Sequence, residues 1–354
     1  MNSIQNPQKI RVLVVDDSAF VRRAILRMFE SCVDIQVIDV ASDGEMALEL
    51  VKKLRPDVIT LDIKMPVMDG LKALERIMCE CPTPVVMLSS LTEKGGENTL
   101  RALELGAVDF IDKSSSGGPM DIATLAKELM SKIRIAAKVD VGKLHSRSAA
   151  REKQQFSTTN TIYKRFNTEV VLIGTSTGGP PALQTILSKF PENFPCPVLI
   201  VQHMPVGFTT SLAERLNRIS HISVKEAEDG ELILQGIAYI APAGKHIKIK
   251  RCVKDLSVWL DVSPEVALHR PSVDVMFESA ALACGEKCLA VVLTGMGKDG
   301  ALGAQALKKA GARVITESEE TATVFGMPKA VMDSIKVDSQ APLYEIAATI
   351  LKMI

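Results

Sequence analysis

Between Ile10 and Ile133 the chain alternates short apolar runs with amphipathic stretches, and this alternation restricts the possible folds more than any other feature. Ile10–Val15, Ile35–Ala41, Asp57–Leu61, Pro84–Ser89 and Asp109–Ile111 are too short for helices and rich in Val, Ile and Leu, so they read as strands. The stretches between them carry helical spacing. Strands separated by helices form βαβ units, whose crossovers return each strand in the same direction and build a parallel sheet. From Glu169 the pattern resumes through Val170–Ile173, Pro197–Gln202, Leu289–Thr294 and Ala312–Thr316. Residues 222–262 instead alternate apolar and polar positions, which predicts antiparallel hairpins. The fold class is α/β in two domains, the second mostly parallel with a hairpin region.

At 354 residues the chain is long for one domain. Apolar periodicity fades from about 136 to 167, where Lys138, Lys143, Arg147, Arg151, Lys153, Lys164 and Arg165 gather among Ser, Thr and Gln. This predicts a solvated linker between domains at 1–135 and 168–354. Lys+Arg and Asp+Glu balance at 42 each, giving no electrostatic reason to expect nucleic acid or an anionic membrane. Met1–Ile10 lacks the apolar region of a signal peptide, and no apolar run approaches the ~20 residues of a membrane span. The seven cysteines are scattered, without metal-ligand spacing. A cytoplasmic protein with free thiols is expected.

Asp16-Asp17 end the first strand, Asp62 ends the third, Ser89 ends the fourth, and Lys113 follows the fifth. In a parallel α/β sheet these strand ends gather on one edge, where ligands bind. Converging carboxylates repel unless a cation joins them, and hard oxygen ligands suit Mg²⁺. Any one of these aspartates alone reads as an ordinary turn residue; the set does not.

Val14-Val15-Asp16-Asp17-Ser18, Leu61-Asp62-Ile63-Lys64-Met65-Pro66-Val67-Met68-Asp69-Gly70 and Ile111-Asp112-Lys113 resemble the motifs of response-regulator receiver domains over about 125 residues. The resemblance implies a flavodoxin-like five-stranded sheet. It makes Asp62 the phosphoacceptor, with Asp16, Asp17, Asp62 and the Lys64 carbonyl as Mg²⁺ ligands. Ser89, Phe110 and Lys113 become the switch positions, and a histidine kinase the phosphodonor.

In the second domain, Gly174-Thr175-Ser176-Thr177-Gly178-Gly179 follows Val170–Ile173, and Pro180-Pro181 opens a helical pattern. A strand–turn–helix of this kind lifts a serine hydroxyl above a sheet edge, suiting a nucleophile or an anion-binding loop. Serine needs a base, and the base an orienting acid. His203 follows Val198–Val201, and Asp299 lies in Gly295-Met296-Gly297-Lys298-Asp299-Gly300 after Leu289–Leu293, so all three fall on one edge. His269 and Asp274 are the competing base and acid. His145 falls in the linker, and His221 and His246 in the hairpin region. Backbone N–H groups near Thr177 and Met296 are candidate oxyanion donors.

These motifs, with Gln202-His203-Met204, Ala241-Pro242-Ala243-Gly244-Lys245-His246 and His269-Arg270-Pro271-Ser272-Val273-Asp274, resemble the chemotaxis methylesterase catalytic domain over about 168–350. Thr175 stands where family members often carry Ala. The whole chain is similar to the two-domain chemotaxis methylesterase family. That resemblance implies hydrolysis of γ-glutamyl methyl esters and deamidation of glutamines on chemoreceptor cytoplasmic domains, without a cofactor for the hydrolysis. It also implies a receiver that restrains the catalytic domain until phosphorylated.

Two other readings compete. Gly295-x-Gly297-x-x-Gly300, followed by a strand ending near Glu317, matches a dinucleotide-binding fingerprint with its ribose acid. It would leave Ser176 and His203 without a role. A DNA-binding output would need a compact basic recognition helix, which the long α/β second half does not offer.

Overall fold

The computed structural model describes residues 9–89, 93–113, 119–141, 167–264 and 269–354. The chain divides into two compact units, Met1–Gln154 and Gln155–Ile354. The expected linker at 136–167 lies mostly outside the described residues.

In the first unit, β1 (Ile10–Val15), β2 (Ile35–Ala41), β3 (Val58–Asp62), β4 (Val85–Ser89) and β5 (Asp109–Asp112) form one sheet in the order β2-β1-β3-β4-β5. Every pairing is parallel. This is the flavodoxin-like, doubly wound order. Strands β3 and β4 are buried throughout, which is why they read as continuous apolar runs rather than alternating ones. The helices between them start at polar caps: Ser18 accepts the Val21 N–H, Asp43 those of Glu45 and Met46, and Asp69 that of Lys72. The strand order reverses between β1 and β3, so the carboxyl ends of those two strands flank the crevice.

The second unit contains β6 (Val170–Thr175), β7 (Val198–Gln202), β8 (Ser223–Glu226), β9 (Ile237–Ile240), β10 (His246–Cys252), β11 (Asp255–Asp261), β12 (Cys288–Val292), β13 (Arg313–Glu317) and β14 (Ser339–Ala341). Seven of them form a sheet in the order β14-β13-β12-β6-β7-β9-β8, and β10 pairs with β11 in a separate hairpin. Among the described strand pairings of this unit, the hairpin's alone is antiparallel. The first half of the 222–262 region therefore differs from expectation: β8 and β9 are parallel members of the main sheet. A half-exposed edge strand alternates just as a hairpin strand does, and Val224 is the one buried residue of β8.

The hairpin packs on the helix Val273–Cys284, where Ile249 N–H donates to Ser279 Oγ at 3.0 Å. Val170, Leu172, Leu199, Tyr239, Ile247, Met276, Phe277 and Val292 fill the core beneath. Each such side chain contributes roughly 1.5–3 kcal/mol by leaving water. The chain leaves β6 for β7 on one side and later returns to β12 on the other. The carboxyl ends of β6 and β12 thus bound the crevice of this sheet. No helix among the described residues is long and apolar enough to cross a membrane.

Candidate active site and acidic pocket

β6 ends at Thr175, and the chain turns through Ser176, Thr177 and Gly178 into the helix Gly179–Leu187. Gly178 has φ +79°, and a Cβ there would stand 2.5 Å from Thr323 Oγ1, so the turn needs glycine. Ser176 is partly exposed between buried neighbours. Its N–H donates to the Thr294 carbonyl at 3.0 Å, and its own carbonyl accepts from Gln202 Nε2 at 3.0 Å. The same Gln202 Nε2 donates to the His203 carbonyl at 2.9 Å, so one amide ties the main chains of Ser176 and His203 together. Gly295, past β12, lies against the serine. A Cβ on it would come within 2.9 Å of Ser176 Cβ and 2.3 Å of Met327 Sδ. Thr175 is fully buried and donates its hydroxyl to the Thr294 carbonyl at 2.9 Å, so this variant residue is satisfied beside the serine.

His203 Nε2 meets Asp299 Oδ2 at 2.8 Å, with the two side chains 8% and 10% exposed. Nδ1 of His203 is buried and makes no hydrogen bond among the described residues. Asp299 is held from every side: Oδ2 also accepts from Val273 N–H at 2.7 Å, and Oδ1 from Ser272 Oγ and Asp274 N–H, each at 2.9 Å. Those donors are the cap and first residues of the helix Val273–Cys284, whose N-terminus favours an anion. Burial pushes the Asp299 carboxyl up. The bond to His203, its charge and the two backbone N–H groups outweigh burial and hold it well below the usual carboxylate range.

The competing residues sit differently. Asp274 Oδ1 accepts the Gly303 N–H at 2.7 Å and is not hydrogen-bonded to His203. Burial pushes Asp274 up to about 6, and the nearby Asp299 charge adds to the shift. His269 stacks on His203, ring centroids 4.2 Å apart and planes 22° from parallel. Burial and the neighbouring His203 bring His269 down to about 4, so it is neutral at pH 7. His246 is fully buried at the start of β10, and burial lowers its pKa too. Glu317 is fully buried, accepting the Thr294 N–H at 2.8 Å and the Thr321 hydroxyl at 2.9 Å. That removes it as a ribose ligand and undercuts the dinucleotide reading. Sequence reasoning assigned no role to Gln202 or Ser272. Ser272 carried a signal, as a serine opening the helical pattern from Val273.

In the first unit, Asp16, Asp17 and Asp62 each offer one carboxylate oxygen, and these three oxygens lie within 4.8 Å of one another. Lys113 Nζ reaches Asp62 Oδ1 at 2.7 Å and Asp16 Oδ2 at 3.2 Å. Burial raises the Asp62 pKa, with Lys113 working against it. Burial also disfavours the Lys113 charge, but Asp62 and Asp16 outweigh it and raise that pKa. Three carboxylates against one ammonium leave a net negative pocket of hard oxygen donors, which fits a divalent cation. Ser89 Oγ lies 2.7 Å from Thr99 Oγ1, both buried. Phe110 is buried, with Lys132 Nζ 5.3 Å from its ring centre.

The arrangement defines a class: an α/β receiver-type unit ahead of an α/β unit whose parallel sheet gathers Ser, His and Asp at its crevice. Residues 171–350 match the CheB methylesterase family, and residues 12–124 match the response regulator receiver domain. A protein-glutamate methylesterase/protein-glutamine glutaminase of Geobacillus kaustophilus is 46% identical, covering 98% of this chain and 99% of its own. Its counterpart in Halalkalibacterium halodurans is 45% identical over 97% of this chain and 98% of its own. The crystal structure of the Thermotoga maritima CheB methylesterase catalytic domain superposes with a TM-score of 0.52 at 45% identity, covering 53% of this chain and 99% of that one. The chain belongs to the CheB methylesterase family.

Proposed function

We propose that this chain is a phosphorylation-regulated serine hydrolase of bacterial chemotaxis adaptation. Its second unit hydrolyses γ-glutamyl methyl esters on chemoreceptor cytoplasmic domains and deamidates specific receptor glutamines. The observation that carries the reading is the buried His203–Asp299 hydrogen bond beside Ser176, at the crevice of the parallel sheet. The activity for which the relatives of matching length are named supports the substrate.

In this reading Ser176 Oγ attacks the acyl carbon while His203 Nδ1 takes its proton. Nδ1 then returns the proton to the departing methoxide oxygen, or to the amide nitrogen when glutamine is the substrate. Water, losing a proton to the same nitrogen, cleaves the acyl-enzyme and leaves a glutamate carboxylate and a free serine. Asp299 keeps Nε2 protonated and stabilises the imidazolium that forms between steps. Backbone N–H groups near Thr177 and Met296 belong to the two loops that meet at Ser176 and are the candidate donors to the oxyanion. The hydrolysis uses no cofactor.

The receiver reading assigns Asp62 as phosphoacceptor and a chemotaxis histidine kinase as phosphodonor. Asp16, Asp17, Asp62 and the Lys64 carbonyl would hold Mg²⁺, which when bound offsets charge on the incoming phosphoryl group. Lys113 then pairs with a phosphoryl oxygen, and Ser89 and Phe110 relay the change. The proposed division is a receiver at 1–135, a linker at 136–167 and a catalytic domain at 168–354, in a cytoplasmic protein that neither enters a membrane nor binds nucleic acid. Methanol release from methylated receptor, with and without acetyl phosphate, tests both halves. Release that rises with phosphodonor supports the reading, and no release overturns it.

A further inference from the structure

Among the described residues, the His203 ring makes one hydrogen bond, through Nε2. A ring fixed at one nitrogen can still rock about that bond, which would swing Nδ1 away from the serine. Its main chain is secured by the N–H to the Thr175 carbonyl at 3.1 Å and by Gln202, but these do not fix the ring plane. The His269 ring lies flat on it, 4.2 Å between centroids. We propose that His269 is a positioning residue: its face sets the plane of the His203 imidazole and so keeps Nδ1 directed at Ser176. The inference rests on the reading of Ser176, His203 and Asp299 as the hydrolytic group.

The segment carrying His269 supports this role. Three residues on, Ser272 Oγ and then the N–H groups of Val273 and Asp274 grip Asp299. Residues 269–274 therefore supply both the wall for the His203 ring and the clamp for its carboxylate partner, and the two reference points are set by one segment. Gly244 N–H donates to the Arg270 carbonyl at 3.0 Å and ties that segment to the chain before β10. A neutral ring also suits the chemistry. His203 turns cationic when it accepts the serine proton, and an aromatic face tolerates a cation where a second imidazolium would repel it.

The test compares His269→Leu and His269→Phe in the full-length chain. Three quantities are measured: kcat and KM for methanol release, and the proton NMR signal of the His203 Nε2–H bonded to Asp299. His269→Leu is expected to lower kcat on the order of 10–100-fold with KM little changed, and to broaden the proton signal. His269→Phe, which keeps a flat face, is expected to restore most of both. A folded Leu variant as active as wild type, a loss confined to KM, or a Phe variant as impaired as Leu would each overturn the proposal. The proton signal separates the two readings: wild-type hydrolysis by Ser176→Ala would sink the hydrolytic assignment, while the signal in the Leu and Phe variants still reports whether His269 holds the ring.

Discussion

His203 meets Asp299 through Nε2, at 2.8 Å, and its Nδ1 makes no hydrogen bond among the described residues. In trypsin-like triads the carboxylate takes Nδ1 and the serine faces Nε2. The reversal here follows from strand order. β6 lies between β7 and β12, so the carboxylate supplied from beyond β12 is far from the His203 main chain and the serine on β6 is near it. The distal ring nitrogen is therefore the one that reaches Asp299.

Asp299 and Asp274 are close neighbours with different contacts, and this separates their roles. Asp299→Asn is expected to cut kcat about 10³–10⁴-fold, because the amide no longer favours the Nε2–H tautomer. Asp274→Asn keeps an acceptor for Gly303 N–H and is expected to leave kcat within about threefold. Steady-state methanol release from the two variants decides the matter, and equal losses would restore Asp274 as a rival acid.

The site was legible where it depended on strand ends. Asp16, Asp62, Ser176 and His203 each follow an apolar run, and a parallel sheet brings such ends to one edge whatever the packing. Asp299 was harder to place, since it lies seven residues beyond the end of β12, yet the glycines around it marked the loop. Ring orientation and the His269 stack were not legible, because both arise from side chains meeting across loops distant in sequence. The parallel pairing of β8 with β9 was missed for a related reason: direction of pairing leaves no local pattern in a four-residue strand.

Asp274 also makes a pH prediction. Its folded pKa, about 6, stands above the ordinary 3.8, so the unfolded chain loses this proton first. The stability it contributes is intact below about pH 4 and is lost as pH rises through 6. Asp274→Asn should therefore match wild type in thermal melts near pH 4 and exceed it at pH 7–8. The gain is about 1 kcal/mol after discounting for the solvent-exposed part of the group. An advantage at pH 4 that vanishes at pH 8 would contradict the sign.

Metal dependence should divide between the two units. The acidic group at Asp16, Asp17 and Asp62 is in the first unit, and among the described residues of the second no comparable cluster gathers. Esterase activity of residues 160–354 is expected to be unchanged by EDTA, while phosphorylation of the full chain by acetyl phosphate should require Mg²⁺. Loss of esterase activity from the truncated protein on chelation would count against this division.

Regulation is read from the receiver. Removing residues 1–140 is expected to raise basal methanol release, and Asp62→Asn to preserve basal release while abolishing the response to phosphodonor. A truncated protein no more active than the unphosphorylated full chain would sink the inhibitory role, and a full response in Asp62→Asn would displace Asp62 as phosphoacceptor.

Ser176→Ala is the decisive variant for Ser176 as the nucleophile served by His203 and Asp299. Methanol release from methylated receptor is measured alongside a thermal melt that confirms the fold. A loss of up to about 10⁶-fold with an unchanged melt is expected. Release at the wild-type rate from the folded variant would contradict it.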